Sequence, residues 1–302
     1  MSTTHDIDVS IVLPVYNEHG HLEEEISRIR TAMDASDFAY EIVVVDDGSN
    51  DGSGDRLRAI EGIELIQFAT NRGSGSARKY GTMAARGRIV VWTDVDMTYP
   101  NHQIPQLVKE LEGFDQVVGA RTSEKGTLKL FRTPAKAFIR RLASYLTSTR
   151  IPDLNSGFRA FRRDAGAQFL HMLPTGFSCV TTITLAFLAN GYSVRYVPIE
   201  YRERAGESKF HWWTDTRRYI NQVVRMTLMW EPFRVFAPLT AVLGALGVGK
   251  LLYDLLSKDL RVATNTLVIL GVTFAVGLVG TLADLLVQLN RKGLDVLPAQ
   301  LE

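Results

Sequence analysis

The 302-residue chain balances 34 Lys and Arg against 33 Asp and Glu, and a net charge of +1 gives no global field that would draw nucleic acid. Its one cysteine, Cys179, excludes an intramolecular disulfide and fits a reducing compartment. The length suits one large domain or two unequal ones, and the long uncharged runs are confined to the last quarter.

The first eight residues are polar, without the apolar core of a signal peptide, so the bulk of the chain is expected in the cytoplasm. Val9-Ser10-Ile11-Val12-Leu13 reads as a buried strand ended by Pro14. Leu22, Ile26, Ile29 and Met33 recur at helical spacing. Ile42-Val43-Val44-Val45 is a second strand, followed by a turn-rich loop over 46–54. A short helix holds Leu57 and Ile60, and a strand follows at 63–68. A helix over 76–85 leads to the strand Ile89-Val90-Val91-Trp92, and a helix over 104–111 leads to Gln116-Val117-Val118-Gly119. Alternating strands and helices predict a parallel sheet with right-handed crossovers, on which ligands bind beyond the carboxyl ends of the strands. Asp46-Asp47 and Asp94-Val95-Asp96 both fall at such ends.

Residues 125–150 turn helical and basic, a helix at 182–189 precedes a strand over 193–200, and 212–230 reads as an amphipathic helix mixing aromatic and basic residues. Residues 262–283 run for 22 positions without a charge, enough to span a bilayer. Residues 235–249 are uncharged for 15, and continue to Leu256 if Lys250 snorkels. Arg217, Arg218, Arg225 and Arg234 precede the first span, and Arg291 and Lys292 follow the second. The turn between holds only Lys258 and Arg261, so both termini are expected in the cytoplasm. The alternative is a helical hairpin buried in a soluble core. The expected domains are a catalytic region over 1–210, an interfacial helix over 211–232, two transmembrane helices over 233–290 and a cytoplasmic tail over 291–302.

A D-x-D triplet alone is far more often a solvated acidic turn than a metal site. Asp94 and Asp96, however, follow an apolar strand, and two carboxylates suffice for a hard divalent cation that keeps water ligands. Such a cation neutralises a departing diphosphate. Pro14-Val15-Tyr16-Asn17-Glu18, Asp46-Asp47-Gly48-Ser49-Asn50-Asp51 and Asp94-Val95-Asp96, in that order, resemble family 2 glycosyltransferases of the GT-A fold over about the first 120 residues. The resemblance implies an α/β chain with a Rossmann-like, mostly parallel sheet, followed by amphipathic interface helices and a C-terminal two-helix transmembrane hairpin. It also implies a nucleotide-sugar donor held by Pro14, Tyr16, Glu18, Asp46, Asp47, Asp94 and Val95, with Mg or Mn on Asp94 and Asp96. Asn17 is alternatively only a turn residue and Asp51 only a helix cap.

The later segments Gly119-Ala120-Arg121, Asp153-Leu154-Asn155-Ser156-Gly157-Phe158-Arg159 and Arg202-Glu203-Arg204-Ala205-Gly206-Glu207-Ser208-Lys209 resemble the narrower group of polyisoprenyl-phosphate glycosyltransferases. That resemblance implies a polyisoprenyl-phosphate acceptor at the membrane. Arg121, Arg132, Ser156 and Arg159 would meet its phosphate, and Arg202, Ser208 and Lys209 the donor diphosphate. Asp96, Asp153 and Arg121 are the catalytic candidates, Asp153 as base or as an acceptor-positioning carboxylate. A homo-oligomer is left open. Two departures stand out: Thr98 replaces the Gln of the mannose synthase pattern, and residues 177–184 lack an acid that many relatives carry. A phosphate acceptor needs no such base, because its second ionisation lies near about pH 6.

Three rivals have a sequence footing. Gln222-Val223-Val224-Arg225-Met226 distantly resembles the Q-x-x-R-W motif of glycan-extending synthases but lacks its Trp. A non-catalytic membrane scaffold would keep nucleotide binding alone. A nucleotidyltransferase would carry its glycine-rich loop after the first strand, whereas Asn71-Arg72-Gly73-Ser74-Gly75 follows the third and is expected to support the donor by backbone contact.

Overall fold

A computed structural model describes residues 7–121, 144, 149–176, 178–202, 224–225, 227–257 and 261–295, with side chains to 289. The chain divides near residue 220 into two compact units.

The first unit is a seven-stranded sheet of order β3-β2-β1-β4-β6-β5-β7. Its strands are β1 (Val9–Val15), β2 (Tyr40–Asp46), β3 (Glu64–Gln67), β4 (Ile89–Trp92), β5 (Gln116–Arg121), β6 (Arg159–Arg162) and β7 (Val194–Ile199). The helices are α1 (Leu22–Asp34), α2 (Ser53–Ala59), α3 (Ser74–Ala84), α4 (Ile104–Lys109), α5 (Arg163–Ala167) and α6 (Cys179–Ala189). Strand β1 continues through Pro14, which keeps its place opposite Val45 in the parallel ladder. Residues of β1 are buried on both sides of the sheet, which is why the strand reads as a continuous apolar run rather than an alternating one. Ile11 and Leu13 pack with the α1 face Leu22, Ile26, Ile29 and Met33, and with Ile104, Leu107 and Val108 of α4. The four α1 side chains contribute roughly 6–12 kcal/mol by burial, before the entropy of ordering them is subtracted.

The sheet is mixed rather than all parallel. Strand β6 was not expected: it runs antiparallel between β4 and β5, with Trp92 opposite Arg159 and Val118 opposite Arg159. Strand order reverses around β1, whose two neighbours are β2 and β4. Crossovers leave in opposite directions there, so the loops after β1, β2 and β4 open a crevice at one end of the sheet.

In the second unit, α7 (Phe233–Ser257) and α8 (Thr264–Asp295) pair through small residues: a Cβ on Gly247 would press on Leu270, and one on Gly280 on Phe236. The 25 residues of α7 and the 26 of Thr264–Leu289 are long and apolar enough to cross a membrane. At 1.5 Å per residue, α7 is about 38 Å long, against a hydrocarbon thickness of about 30 Å. Leu256 is 86% exposed and Phe274 73%, which does not fit the alternative of a hairpin sunk in a soluble core. Asp254 is fully buried in the hairpin and closes its turn, accepting from the Ala263 N–H at 3.1 Å, Lys250 Nζ at 3.3 Å and Thr266 Oγ1. The interfacial helix expected over 212–230 lies largely outside the described residues; 227–230 are helical.

Candidate active site

The loops after β1 and β2 are fastened to one another. Asn17 adopts a left-handed backbone (φ 57°), a conformation asparagine tolerates, and its side-chain carbonyl accepts from the Asn50 N–H at 2.9 Å. Ser49 Oγ accepts from the Asn17 N–H at 3.0 Å, and Ser53 Oγ from the Glu18 N–H at 3.1 Å. Asp51 binds the Ser53 N–H and hydroxyl at 3.0 and 2.6 Å and the His19 N–H at 3.1 Å. Asn17 and Asp51 therefore shape the loops. Tyr16 is 44% exposed at the rim, and Pro14 is partly buried within the strand.

The neighbouring acids Asp46 and Asp47 do different work. Asp46 accepts from the Ser49 N–H at 3.0 Å and Gln67 Nε2 at 3.2 Å, and lines a cavity of about 500 Å³ with Ser49, Asn50, Arg58, Gln67 and Phe68. Asp47 turns to the loop before α3, taking the N–H of Arg72 at 2.7 Å and of Gly73 at 2.8 Å. Burial raises its pKa, and those two N–H bonds only partly offset the rise. Of the amides expected to support the donor, those of Arg72, Gly73 and Gly75 are thus occupied, Gly75 donating to the Thr175 carbonyl at 2.7 Å, as does Ser76 beyond it at 3.2 Å. Glycine is required at 75, where a Cβ would lie 2.1 Å from the Pro174 carbonyl oxygen.

Beyond β4 the acidic triplet enters a tight loop. Val95 points into the core, and Met97 takes a left-handed backbone (φ 63°) that is unusual for its side chain. Asp94 Oδ1 accepts from Arg78 Nη2 at 2.5 Å. Thr98 donates to Asp96 through its hydroxyl at 2.6 Å and its N–H at 3.2 Å, so it orients the second carboxylate. Among the described residues no three His, Cys, Asp or Glu side chains cluster as metal ligands. The pair suits a hard cation that fills its remaining positions with water and phosphate oxygens.

Arg78 carried no signal in the sequence. It sits in α3 with a side chain only 2% exposed, and its Nε and Nη1 have no hydrogen-bond partner. Burial works against its charge, but Asp94 outweighs burial and raises its pKa. Gly157 completes this corner: a Cβ there would lie 3.1 Å from Asp94 Oδ2, 3.2 Å from Arg78 Nη2 and 3.3 Å from the Tyr99 hydroxyl. The Gly157 N–H donates to that hydroxyl at 2.8 Å.

Arg121 forms a two-pronged bridge to Asp153, Nε at 2.7 Å and Nη2 at 2.9 Å, with its guanidinium 5.2 Å from the centre of the Tyr201 ring. Burial pushes the Asp153 carboxyl up, but the Arg121 contacts prevail and hold it below the usual range. Such a carboxylate is a weak base and a good orienting group for Arg121. Tyr99 and Tyr201 lie within electrostatic reach of both Asp94 and Arg121, which brings these two parts of the site together. Ser156 is fully buried and its Oγ makes no hydrogen bond.

Arg159 departs from its expected place at a ligand phosphate. It is fully buried, donating to the Val180 carbonyl at 2.8 Å, Thr184 Oγ1 at 2.8 Å and the Ser156 carbonyl, and burial pushes its pKa down to about 10. It braces the loop before β6 against α6. The Arg202 N–H donates to the Thr98 carbonyl at 3.0 Å, joining that segment to the acidic loop. Arg132, Ser208 and Lys209 lie outside the described residues.

A sheet of this order, with acidic loops at its switch point, is an α/β fold of the nucleotide-binding type, and two helices long and apolar enough to cross a membrane follow it in the chain. Residues 10–168 match the model of glycosyl transferase family 2, and the chain belongs to that family. It is 34% identical over 212 residues to the undecaprenyl-phosphate 4-deoxy-4-formamido-L-arabinose transferase of Aeromonas hydrophila, covering 67% of this chain and 62% of that protein. The transferase of the same name from Klebsiella pneumoniae is 32% identical over 267 residues, covering 84% and 77%. The chain's match thus spans less than two thirds of the Aeromonas protein's length. Glucosyl-3-phosphoglycerate synthase from Mycobacterium tuberculosis, crystallised with Mn2+, UDP and glucosyl-3-phosphoglycerate, superposes with a TM-score of 0.58 at 22% identity, covering 73% of this chain and 80% of that one. That likeness establishes the fold.

Proposed function

We propose that the protein transfers a sugar from a nucleoside-diphosphate sugar to a polyisoprenyl phosphate at the cytoplasmic face of the membrane, inverting the anomeric centre. The observation that carries this reading is the pair Asp94 and Asp96 in a loop leaving β4, beside the β1 and β2 loops at the sheet's switch point. The lipid acceptor is supported by the two relatives named for undecaprenyl phosphate and by two helices of membrane-spanning length.

Asp94 and Asp96 would hold a divalent cation, as the Mn2+ and UDP in the solved neighbour suggest for this fold. When bound, it supplies positive charge that offsets the charge growing on the leaving diphosphate. Tyr16 at the rim and the Asp46 cavity receive the nucleoside. Arg121, oriented by Asp153, supplies positive charge to the acceptor phosphate, with Ser156 near Asp153 in sequence. An oxygen of that phosphate forms a bond to the anomeric carbon as the bond from that carbon to the nucleoside diphosphate breaks. No general base is needed, because the phosphate is already ionised. Arg132 joins Arg121 at the acceptor phosphate, and Arg202, Ser208 and Lys209 meet the donor diphosphate. Both chain ends face the cytoplasm, as the flanking arginines favour.

The test is transfer of label from UDP- and GDP-sugars to undecaprenyl phosphate by the purified protein in detergent. EDTA abolishes transfer, Mn2+ or Mg2+ restores it, and Asp96→Ala is inactive under every condition. Full activity of Asp96→Ala would refute the assignment.

A further inference from the structure

The acidic loop is held from the inside by two fully buried polar residues that the reaction itself does not use, Glu25 of α1 and Asn101. Residues 95–100 form a loop between Asp94 and the helical turn that opens at Asn101, and the two ends of this loop are joined by one side chain. Asn101 Nδ2 donates to the Asp94 carbonyl oxygen at 3.0 Å, seven residues back. Its other amide hydrogen goes to Glu25 Oε1, at 2.6 Å, and its carbonyl oxygen accepts from Thr93 Oγ1. Every polar atom of the Asn101 side chain is therefore committed, two of its three bonds reaching the residues that open the loop. Glu25 is fixed in turn by Arg28, one helical turn on, at 2.9 Å. The same Arg28 donates to Met97 Sδ at 3.6 Å, touching the left-handed residue directly after Asp96.

Burying a carboxylate is costly unless it is paired and hydrogen-bonded, so a wholly buried Glu25 calls for a physical reason. Fold stability alone is a poor one, since an apolar residue at this position would extend the Leu22–Ile26–Ile29 face. We infer that Glu25 and Asn101 are positioning residues that set the backbone direction of Asp94, and through Met97 that of Asp96, so that the two carboxylates converge on one cation. Because α1 begins directly after the Tyr16–Glu18 loop, one rigid helix then carries both the nucleoside rim and the support of the metal carboxylates. This inference rests on the reading of Asp94 and Asp96 as metal ligands given above.

Asn101→Asp keeps the size of the side chain and removes both donors, placing oxygen against the Asp94 carbonyl and the Glu25 carboxylate. Asn101→Ser is too short to reach Asp94 and serves if the first variant does not fold. Glu25→Gln retains an acceptor for Asn101. The readout is Mn2+ affinity of the full-length protein in detergent with UDP or GDP present, measured from the electron paramagnetic resonance signal of free Mn2+, alongside the melting temperature without metal. The Asn101 variant that folds binds Mn2+ at least tenfold more weakly while melting as a cooperative unit, and Glu25→Gln binds within about threefold of the parent. Unchanged Mn2+ affinity in the folded Asn101 variant overturns the inference, as does a Glu25→Gln loss as large as that of Asn101. Asp96→Ala is the control that separates the two ideas. If it keeps Mn2+, the metal site itself is misassigned; if it loses Mn2+ while the Asn101 variant keeps it, only the support role fails.

Discussion

Asp94 and Asp96 belong to one triplet, yet the structure assigns them unequal shares of stability. Asp94 faces Arg78, whose side chain is 2% exposed and has no hydrogen-bond partner for two of its nitrogens. Truncating Asp94 to Ala leaves a buried guanidinium without its counter-charge, and breaking a buried pair by removing one partner costs about 3–5 kcal/mol. Asp96 accepts two local bonds from the neutral donors of Thr98, and losing neutral hydrogen bonds of this kind costs about 1 kcal/mol. For a unit of this size each kcal/mol shifts the melting temperature by about 2–4 °C. Asp94→Ala is therefore expected to lower it by about 6–20 °C and Asp96→Ala by about 2–4 °C, although both abolish transfer. Replacing the cation as well, in Arg78→Met/Asp94→Ala, recovers part of the loss, because no unpaired charge then remains buried. Thermal scans of the detergent-purified parent, the two single variants and the double variant decide the matter. Equal shifts for Asp94→Ala and Asp96→Ala, or a double variant worse than Asp94→Ala, would refute the reasoning.

Arg121→Lys keeps the charge but cannot reproduce the two-pronged bridge to Asp153; transfer kinetics should show the apparent KM for lipid phosphate rising about tenfold, with the nucleotide-sugar KM little changed. Gly157→Ala forces a methyl against Asp94, Arg78 and Tyr99, costing about 1–3 kcal/mol by thermal unfolding and lowering kcat at least tenfold. Glu41 is a buried carboxylate that accepts from Ser10 Oγ at 2.6 Å and from the Arg86 N–H and Nε at 2.6 and 2.7 Å. Burial raises its pKa, but these partners prevail and lower it below the ordinary value. Its contribution is thus present above the unfolded glutamate pKa and is lost as the pH falls through the lower folded one. Melting curves of Glu41→Gln should lie below the parent at pH 7 and converge with it well below about pH 4.3.

Strands β1, β2, β4 and β5 were legible because a strand covered on both faces carries consecutive apolar residues, and α1 because its four core residues keep strict helical spacing. Strand β6 was not: Arg-Ala-Phe-Arg carries a cation at each end, and only the antiparallel insertion between β4 and β5 makes it a strand. The same geometry explains Arg159, which in a glycine-flanked loop has the look of a phosphate ligand but faces α6 from the sheet. Arg78 lies next to Lys79 in a polar helix, and nothing local distinguishes the buried cation from its partly buried neighbour. Glu25 was within reach. It stands three residues from Leu22 and four from Ile29, on the buried side, where a carboxylate needs partners. Its partner Asn101, seventy-six residues away, is a matter of tertiary structure.

The most direct measurement of the whole account is acceptor choice. The purified full-length protein, with Mn2+ and labelled UDP- or GDP-sugars, is offered undecaprenyl phosphate, undecaprenol or a water-soluble oligosaccharide in parallel. The account predicts organic-extractable label with undecaprenyl phosphate alone, from one donor nucleotide, and none with Asp96→Ala. Label transferred to the oligosaccharide, or equally to the unphosphorylated alcohol, would contradict it.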